Sequence, residues 1–302
     1  MISVNGILKR KGGEMDSLKN MKNALDYIED NLSKEIEYSK IAQAALCSQY
    51  HFQRMFSFLT GIPLSEYIRR RRLTLAGFDL QNSSEKIIEI AMRYGYNSPD
   101  AFTRAFQNIH GITPSKAREE GVSLKAYPRI VFSLSLKGVT EMNYRIEKKE
   151  PFIITGVKQR LSYLENLGEK IDQMWRGLSQ ETYKQLAGLA DTGHPEMLGV
   201  YSNMYEDSTT DYYIAVRTTS EIPENLEKLE IPELTWAVFE ITGALPTAMA
   251  EIWGRIFTEW FPTMDYEHAE APEIEWYSAG DMGAADYKSE IWIPIIKKNT
   301  AK

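Results

Sequence analysis

The chain has 302 residues and a net charge of −7, and its 43% hydrophobic and 25% charged residues are typical of folded domains, which excludes a disordered protein. Its one cysteine, Cys47, excludes a disulfide framework, and its four scattered histidines lack metal-ligand spacing, so we expect no metal and no cofactor. The sequence has no apolar run near the ~20 residues of a membrane-spanning helix and no signal peptide. These features favour a cytoplasmic protein without a membrane partner.

The charge distribution divides the chain into two parts. Residues 1–122 carry 17 Lys and Arg against 14 Asp and Glu, whereas the remainder carries 18 against 28 and holds all six tryptophans. Such asymmetry, together with the length, predicts two different domains. We interpret residues 1–14 as a flexible leader, which leaves either Met1 or Met15 as the natural start. The predicted domains are residues 15–122 and 141–298, joined by a linker over residues 123–140.

Two segments of the first domain resemble each other. IAQAALCSQYHFQRMFSFLTGIPLSEYIR begins at Ile41, and IAMRYGYNSPDAFTRAFQNIHGITPSKAR begins at Ile90. Equivalent residues lie 49 positions apart before the turn and 50 after it, as a single inserted residue would produce. Each copy therefore predicts a helix, a tight turn and a second helix with an apolar stripe. The two stripes are Phe52, Met55, Phe56 and Leu59, and Phe102, Ala105, Phe106 and Ile109.

The polar face of each second helix carries side chains that can recognise DNA bases. Gln and Arg can hydrogen-bond base edges, Thr can contact a thymine methyl group, and a helix in the major groove needs them near its N-terminus. The intervening stretch LSEYIRRRRLTLAGFDLQ predicts a connecting helix, whose run Arg69–Arg72 either faces phosphates in part or is a solvated face. The polar faces carry Gln49, Tyr50, Gln53 and Arg54 in the first copy, and Asp100, Thr103 and Arg104 in the second.

Residues 15–122 resemble the DNA-binding domain of the AraC/XylS transcription regulators. The resemblance covers both copies and includes the spacing of Arg54, Gly61, Gly95 and Arg104. It implies a double helix-turn-helix that binds double-stranded DNA, with RNA polymerase as an expected partner. Relatives that act on multidrug and oxidative-stress promoters have Gln-Gln where this chain has Pro99-Asp100, so their operators do not transfer. By the resemblance, the base-reading residues are Tyr50, Gln53, Arg54, Asp100, Thr103 and Arg104.

From Glu141 the hydrophobic pattern alternates with period two, as in strands. A strand–helix–strand–strand order occurs twice, first in PFIITGVKQR to DYYIAVRTT and again in LTWAVFEITG to KSEIWIPII. Related by a pseudo-twofold, the two units would form one sheet with helices on one face and the other face open to a ligand. The sequence thus predicts a multidomain fold, an all-α double helix-turn-helix domain followed by an α+β effector domain of two strand–helix–strand–strand repeats.

The second half resembles the gyrase-inhibitor-like effector-binding domains of multidrug-responsive regulators, through YYIAV, IPELTWAVFE, EIEWY and EIWIPI. The resemblance implies a small-molecule effector, cationic and lipophilic, held by an acidic residue of the last strand among aromatic side chains. Here that residue is Glu290, which alternates onto one face with Trp292. Glu290 could instead be solvated or pair with Lys288 or Arg145. The candidate effector-binding residues are Glu290, Trp292, Tyr201, Tyr213 and Tyr277.

Three functions are compatible with these patterns. The leading hypothesis is a ligand-responsive transcription regulator, expected to be an activator. In the second, the C-terminal domain of a DNA-binding regulator is a protein-interaction module. In the third, that domain hydrolyses a small molecule, but the chain has no catalytic Ser/His/Asp order and no Gly-rich phosphate loop. We therefore expect no enzyme and name no catalytic residue.

Overall fold

The computed structural model describes residues 19–131, 141–162, 167–191, 196–205 and 209–298. The predicted leader and residues 132–140 of the predicted linker lie outside these ranges. The described chain forms two compact units. The first comprises the residues up to Phe52 and those from Pro63 to 131, and the second comprises Gln53–Ile62 and everything from Glu141. None of the described helices is both long and apolar enough to cross a membrane.

The first unit is helical, as the sequence predicts. Its helices are α1 (19–30), α2 (Tyr38–Ala45), the start of α3 (Gln49–Thr60), α4 (Leu64–Asn82), α5 (Ile87–Arg93) and α6 (Pro99–His110), followed by a 3₁₀ turn (Lys116–Arg118). At the start of α6, the Ser98 hydroxyl accepts the Ala101 N–H, and Pro99 occupies the first turn, where its missing N–H costs nothing. Gly111, with φ 79°, ends the helix.

The arginine run of α4 fixes the first unit internally. Glu66 accepts hydrogen bonds from both Arg69 and Arg70, at 2.7 and 2.5 Å from their Nε atoms. Arg71 pairs with Glu29 of α1 at 2.7 Å. The Arg72 guanidinium donates to two backbone carbonyls after α1, those of Leu32 and Lys34. The run therefore connects α4 to α1 and to the residues after α1, an arrangement beyond the two alternatives that the sequence left open.

The second unit is built on one antiparallel sheet. Its strand order is β1-β6-β9-β8-β3-β4-β2-β5, and β7 pairs with β9. The strands are β1 (Tyr144–Lys149), β2 (Phe152–Ser162), β3 (Met197–Met204), β4 (Thr209–Arg217), β5 (Glu227–Ile231), β6 (Leu234–Thr242), β7 (Tyr266–His268), β8 (Glu273–Tyr277) and β9 (Lys288–Lys297). The helices are α7 (Leu167–Arg176), α8 (Gln180–Leu189) and α9 (Thr247–Arg255), which continues through a π-turn (Ile256–Trp260) into a last turn (Phe261–Thr263).

The predicted two repeats are confirmed by the strand order. β2, β3 and β4 belong to one repeat and β6, β8 and β9 to the other, and the repeats meet where β3 pairs with β8. The hydrophobic cluster on one face of the sheet includes Trp253 of α9 and Phe257 of the π-turn that follows it, whereas the cluster on the other face consists of strand residues. We call these the helix face and the open face. The predicted fold class, all-α followed by α+β, is confirmed.

Candidate functional sites

The predicted DNA-recognition residues differ in exposure between the two copies. On α6, Asp100 and Arg104 are exposed and Thr103 is half-buried. On α3, Tyr50 and Gln53 are half-buried, whereas Arg54 is only 5% exposed. Three predicted residues of the second copy thus share the N-terminal half of one helix, whereas in the first copy Gln53 and Arg54 belong to the second unit and Arg54 is buried there.

The five predicted effector-binding residues do not form one site, because side chains alternate between the two faces of a strand. Tyr213 and Trp292 belong to the open-face cluster, and Glu290 shares that face with Trp292. Tyr201 and Tyr277 belong to the helix-face cluster. The prediction that these residues converge on one ligand therefore divides into two candidate sites on opposite sides of the sheet.

On the open face, the charge of Glu290 is already compensated. The Arg145 guanidinium of β1 donates to both Glu290 oxygens, at 2.9 and 3.2 Å, and the Trp292 indole N–H donates to Glu290 at 2.6 Å. The Lys149 ammonium lies 4.1 Å from the centre of the Trp292 ring. A cationic ligand at this carboxylate would have to compete with Arg145, which is one of the partners that the sequence left open.

A pocket on the open face has Trp292, a hydrogen-bond partner of Glu290, in its lining. Trp276 and Trp292 line it together with Phe152, Glu196 and Arg217 and with Ala190 and Leu198. The pocket is apolar apart from Glu196 and Arg217, and its Glu196 carboxylate accepts the Trp276 indole N–H at 3.1 Å.

On the helix face, Glu275 is a buried carboxylate ringed by neutral donors. The Tyr277 hydroxyl donates to Oε2 and the Trp253 indole N–H donates to Oε1, each at 2.7 Å. The hydroxyls of Tyr201 and Tyr212 lie 3.5 Å from Oε1 and Oε2. Glu275 is 4% exposed and has no ion pair within the described part of the chain. Burial raises its pKa above the ordinary value, and the hydrogen bonds from Tyr277 and Trp253 oppose that rise only in part.

The strand neighbours of Glu275 create the space for this ring. Gly199 of β3 lies directly opposite Glu275 in the sheet. A Cβ atom at Gly199 would overlap the Tyr212 hydroxyl and lie 3.1 Å from Glu275 Oε2, so glycine is required by the close approach. On the helix face, the Trp175 indole N–H of α7 donates to the Tyr212 hydroxyl at 2.9 Å. The site is thus a polar centre inside an aromatic shell.

A second buried carboxylate, Glu273, lies two residues earlier on the same face of β8. Arg54 Nε donates to Glu273 Oε1 at 2.7 Å, and Arg54 Nη2 donates to Oε2. His268 Nε2 lies 2.7 Å from the same Oε1. Burial would raise the pKa of Glu273, but the Arg54 charge and the His268 hydrogen bond lower it to about 2. Glu273 is therefore an ionised carboxylate that holds a guanidinium.

The two carboxylates share an aromatic wall. The Arg54 guanidinium carbon lies 5.6 Å from the centre of the Tyr201 ring and 5.7 Å from that of Trp253, within the range of cation–π attraction. Tyr201 and Trp253 also contribute the hydroxyl and indole groups around Glu275. The same aromatic residues thus face both a paired and an unpaired carboxylate.

Sequence reasoning missed the acidic centre of this site. The alternation in EIEWY places residues 273, 275 and 277 on one face, and this signal was visible in the sequence. The missed residues are Glu273, Glu275, Tyr212, Trp253 and His268.

Two helix-turn-helix copies and a sheet domain with an acidic, aromatic-lined centre define a DNA-binding transcription regulator with a small-molecule-binding domain. Residues 142–296 match the model of the GyrI-like small molecule binding domain, and residues 41–120 match that of a helix-turn-helix domain. The chain belongs to the GyrI-like family, in a form that carries an AraC-type helix-turn-helix domain before the GyrI-like domain.

The chain is similar to known regulators over part of its length. It is 40% identical over 94 residues to the multiple antibiotic resistance protein MarA of Escherichia coli (strain K12), covering 31% of this chain and 74% of MarA. It is 39% identical over 94 residues to the HTH-type transcriptional activator AarP of Providencia stuartii, covering 31% of this chain and 70% of AarP. Among solved structures, that of SAV2435 bound to tetraphenylphosphonium has a TM-score of 0.46 and 22% sequence identity, covering 51% of this chain and 94% of that chain.

Proposed function

We propose that the chain is a transcription activator whose second domain binds a lipophilic aromatic cation at Glu275. The observation that carries the proposal is a buried carboxylate surrounded by Tyr201, Tyr212, Tyr277 and Trp253 without a cationic partner among the described residues. AarP is by name an activator, and an activator acts on RNA polymerase, which we propose as the partner. The proposed place of action is the cytoplasm.

The chemistry of the site selects for charge and for aromatic rings. A buried carboxylate without a cation is costly, and the raised pKa of Glu275 expresses that cost. A cation beside Glu275 would compensate the charge of the carboxylate and favour its ionised form. Aromatic ring faces attract organic cations, most strongly where water is excluded. A molecule with several aryl rings and one delocalised charge satisfies both requirements, whereas a hydrophilic cation such as ammonium satisfies only the first.

The test is isothermal titration calorimetry of the full chain with tetraphenylphosphonium and with triphenylphosphine oxide, its neutral analogue. We expect the cation to bind and the neutral compound to bind at least about tenfold more weakly, a difference of ~1.4 kcal/mol. Glu275→Gln keeps the shape of the side chain and removes its charge, so it should abolish this preference.

Glu290→Gln is the matched control on the opposite face of the sheet. If Glu290→Gln removes the preference for the cation and Glu275→Gln keeps it, the effector site is instead the open-face set of Glu290, Trp292 and Tyr213. If no member of a panel of aryl cations binds, the alternative function of a protein-interaction module gains support. Turnover of the probe would favour the hydrolase alternative.

For DNA, we propose that the recognition residues are those that the resemblance assigns. Asp100, Thr103 and Arg104 lie in the first half of α6, the half that enters the major groove in helix-turn-helix proteins. Tyr50, Gln53 and Arg54 occupy the equivalent part of α3. Substitution of a base-reading residue weakens binding to the preferred duplex only, whereas loss of a phosphate contact weakens all sequences together. Electrophoretic titration separates the two effects when it compares a duplex that the wild-type chain selects from a random library with a scrambled version of that duplex.

A further inference from the structure

The side chain of Arg54 has the properties of a ligand for the site it occupies. Its guanidinium is planar, delocalised and cationic, it is held by two hydrogen bonds to Glu273, and it faces the rings of Tyr201 and Trp253. Those two rings belong to the wall around Glu275. An aryl cation that stacks on Tyr201 and Trp253 therefore needs the space that Arg54 fills.

The apolar residues after Arg54 hold the same segment in place. The Phe58 ring stacks on Phe257 at 4.9 Å and on Trp253 at 6.0 Å. Met55 and Leu59 pack against the same hydrophobic cluster on the helix face. Within the second unit, the segment Gln53–Ile62 is thus held by a buried ion pair to Glu273 and by the stack of Phe58 on Trp253 and Phe257.

Burial of this arginine is not a requirement of the helix-turn-helix fold. Arg104 occupies the equivalent position of the second copy, 50 residues later, and is exposed. Arg54 is buried because Glu273 supplies a partner and Tyr201 and Trp253 supply an aromatic wall, whereas Arg104 has no ion pair within the described ranges of the chain. Arg54 is only 5% exposed, and while its Nε and Nη2 donate to Glu273 it cannot present those same donors to a guanine edge.

We propose that Arg54 is an internal cationic ligand of the effector site, so that an external aryl cation and DNA each displace it and thereby favour one another. This inference rests on the proposed function, since it concerns regulation of the same site. An internal competitor occupies the site in part of the molecules. The apparent affinity for the external ligand is then the intrinsic affinity multiplied by the fraction of molecules in which the site is vacant. By linkage, DNA raises the affinity for the cation by the same factor by which the cation raises the affinity for DNA.

The first experiment measures tetraphenylphosphonium binding to full-length chains by calorimetry. Arg54→Gln removes the internal cation and should tighten binding by about fivefold or more, the lower end of allosteric coupling. Arg104→Gln is the same change at the repeat-related position, and cation binding should be unaltered because Arg104 is exposed. Equal affinities of wild type and Arg54→Gln for the cation would overturn the proposal.

The second experiment measures DNA binding without any cation, on a duplex selected from a random library with the wild-type chain. Glu273→Gln weakens the hold on Arg54 while leaving Arg54 available to DNA, and Phe58→Gln removes the aromatic stack. Each should raise the affinity for the duplex by about fivefold or more in fluorescence anisotropy. Glu251→Gln, an exposed change of the same charge on α9, is the control and should leave the affinity at the wild-type value.

The two experiments separate this proposal from the proposed function. If no variant binds the cation while Glu273→Gln and Phe58→Gln still strengthen DNA binding, the assignment of Glu275 as an effector site fails. The restraint of Arg54 by Glu273, which we call the internal restraint, then stands. If the cation binds at Glu275 but both variants retain wild-type DNA affinity, the internal restraint is overturned. Thermal unfolding of each variant identifies any that has not folded, and the other variant then decides.

Discussion

Helices α3 and α6 are repeat-related, and their differences separate what a helix-turn-helix copy determines from what its surroundings determine. Both have 12 residues, and the core residues Phe56 and Phe106 are fully buried in both. On the polar side the copies diverge, since Arg54 is ion-paired with Glu273 and Arg104 is exposed. The repeat thus determines the positions of the side chains on each helix. Residues far away in the sequence determine whether a polar side chain at such a position is exposed or buried in an ion pair.

The helix ends follow the repeat as closely as the core does. The Ser48 hydroxyl accepts the His51 N–H at 3.2 Å, and the Ser98 hydroxyl accepts the Ala101 N–H at 3.4 Å, the same three-residue capping contact. Gly61 and Gly111 follow the two helices with φ of 72° and 79°, a conformation that glycine adopts without strain. These local features need only neighbouring residues, which explains their agreement between the copies.

The largest expected effect tests the buried core positions that α3 and α6 share. Phe56→Ala and Phe106→Ala each remove a fully buried ring, and each should lower the free energy of unfolding by about 3–5 kcal/mol. The measurement is urea unfolding of the full chain followed by circular dichroism. Exposed Phe78→Ala is the control, with an expected change of about 0.5 kcal/mol or less. Clearly unequal costs at the two positions would show that the copies differ in their core as well.

The next largest expected effect tests the difference between Arg54 and Arg104 through protein stability. Arg54→Ala leaves Glu273 buried and hydrogen-bonded to His268 without its guanidinium partner, and removal of one partner of a buried pair should cost about 3 kcal/mol. Arg104→Ala should change stability by about 0.5 kcal/mol or less, because Arg104 is exposed. Tryptophan fluorescence during urea unfolding checks this, since all six tryptophans lie in the second half of the chain. Equal stabilities of the two variants would contradict the burial of Arg54.

The fold was predictable because its signals are local. The 3.6-residue stripes of the two copies predicted α3 and α6, and the doubled strand–helix–strand–strand order predicted the sheet with helices on one face. The serine caps and the glycines after the helices needed only neighbouring residues. β1 and β5, which extend the two edges of the sheet, fall outside the doubled pattern and were not predicted as members of it.

The site was predictable only in part, because it depends on which distant residues meet. The alternation of β9 correctly placed Glu290 and Trp292 on one face, but Arg145 reaches Glu290 from β1, a strand outside the repeat. Similarly, Arg54 and Glu273 are 219 residues apart. Local sequence indicates the face of a strand but not the register across a sheet or the partner of a charge, so the unpaired carboxylate at Glu275 was not identified.

A smaller effect sharpens the comparison on DNA. Arg104→Ala should weaken binding to the selected duplex by about 1–3 kcal/mol, as for a residue that reads a base. Arg54→Ala should cost less in the absence of a cation, because the wild-type chain must first give up the Arg54–Glu273 ion pair. Fluorescence anisotropy at one fixed salt concentration measures both, since phosphate contacts make affinity salt-dependent.

Tetraphenylphosphonium provides the control for the difference in DNA-binding cost between Arg54→Ala and Arg104→Ala. With the cation at saturation, Arg54 is displaced from Glu273 in the wild type and can contact DNA, so the cost of Arg54→Ala should rise toward that of Arg104→Ala. A cost of Arg54→Ala that exceeds that of Arg104→Ala without the cation would contradict the internal restraint. A cost near zero for both substitutions would instead contradict the assignment of the recognition residues.

The smallest expected effect contrasts the two carboxylates of β8 through pH. The pKa of Glu275 is raised on folding, so its contribution to stability is present below the ordinary value of 4.5 and is lost as pH rises through the raised value. The pKa of Glu273 is lowered to about 2, so its contribution is present above 4.5 and is lost as pH falls toward 2. Relative to wild type, Glu275→Gln should therefore gain stability as pH rises from 4, whereas Glu273→Gln should gain it as pH falls from 5. Thermal unfolding from pH 3 to pH 8 measures both, and parallel profiles for the two variants would show that the carboxylates share one environment and that Arg54 does not distinguish them.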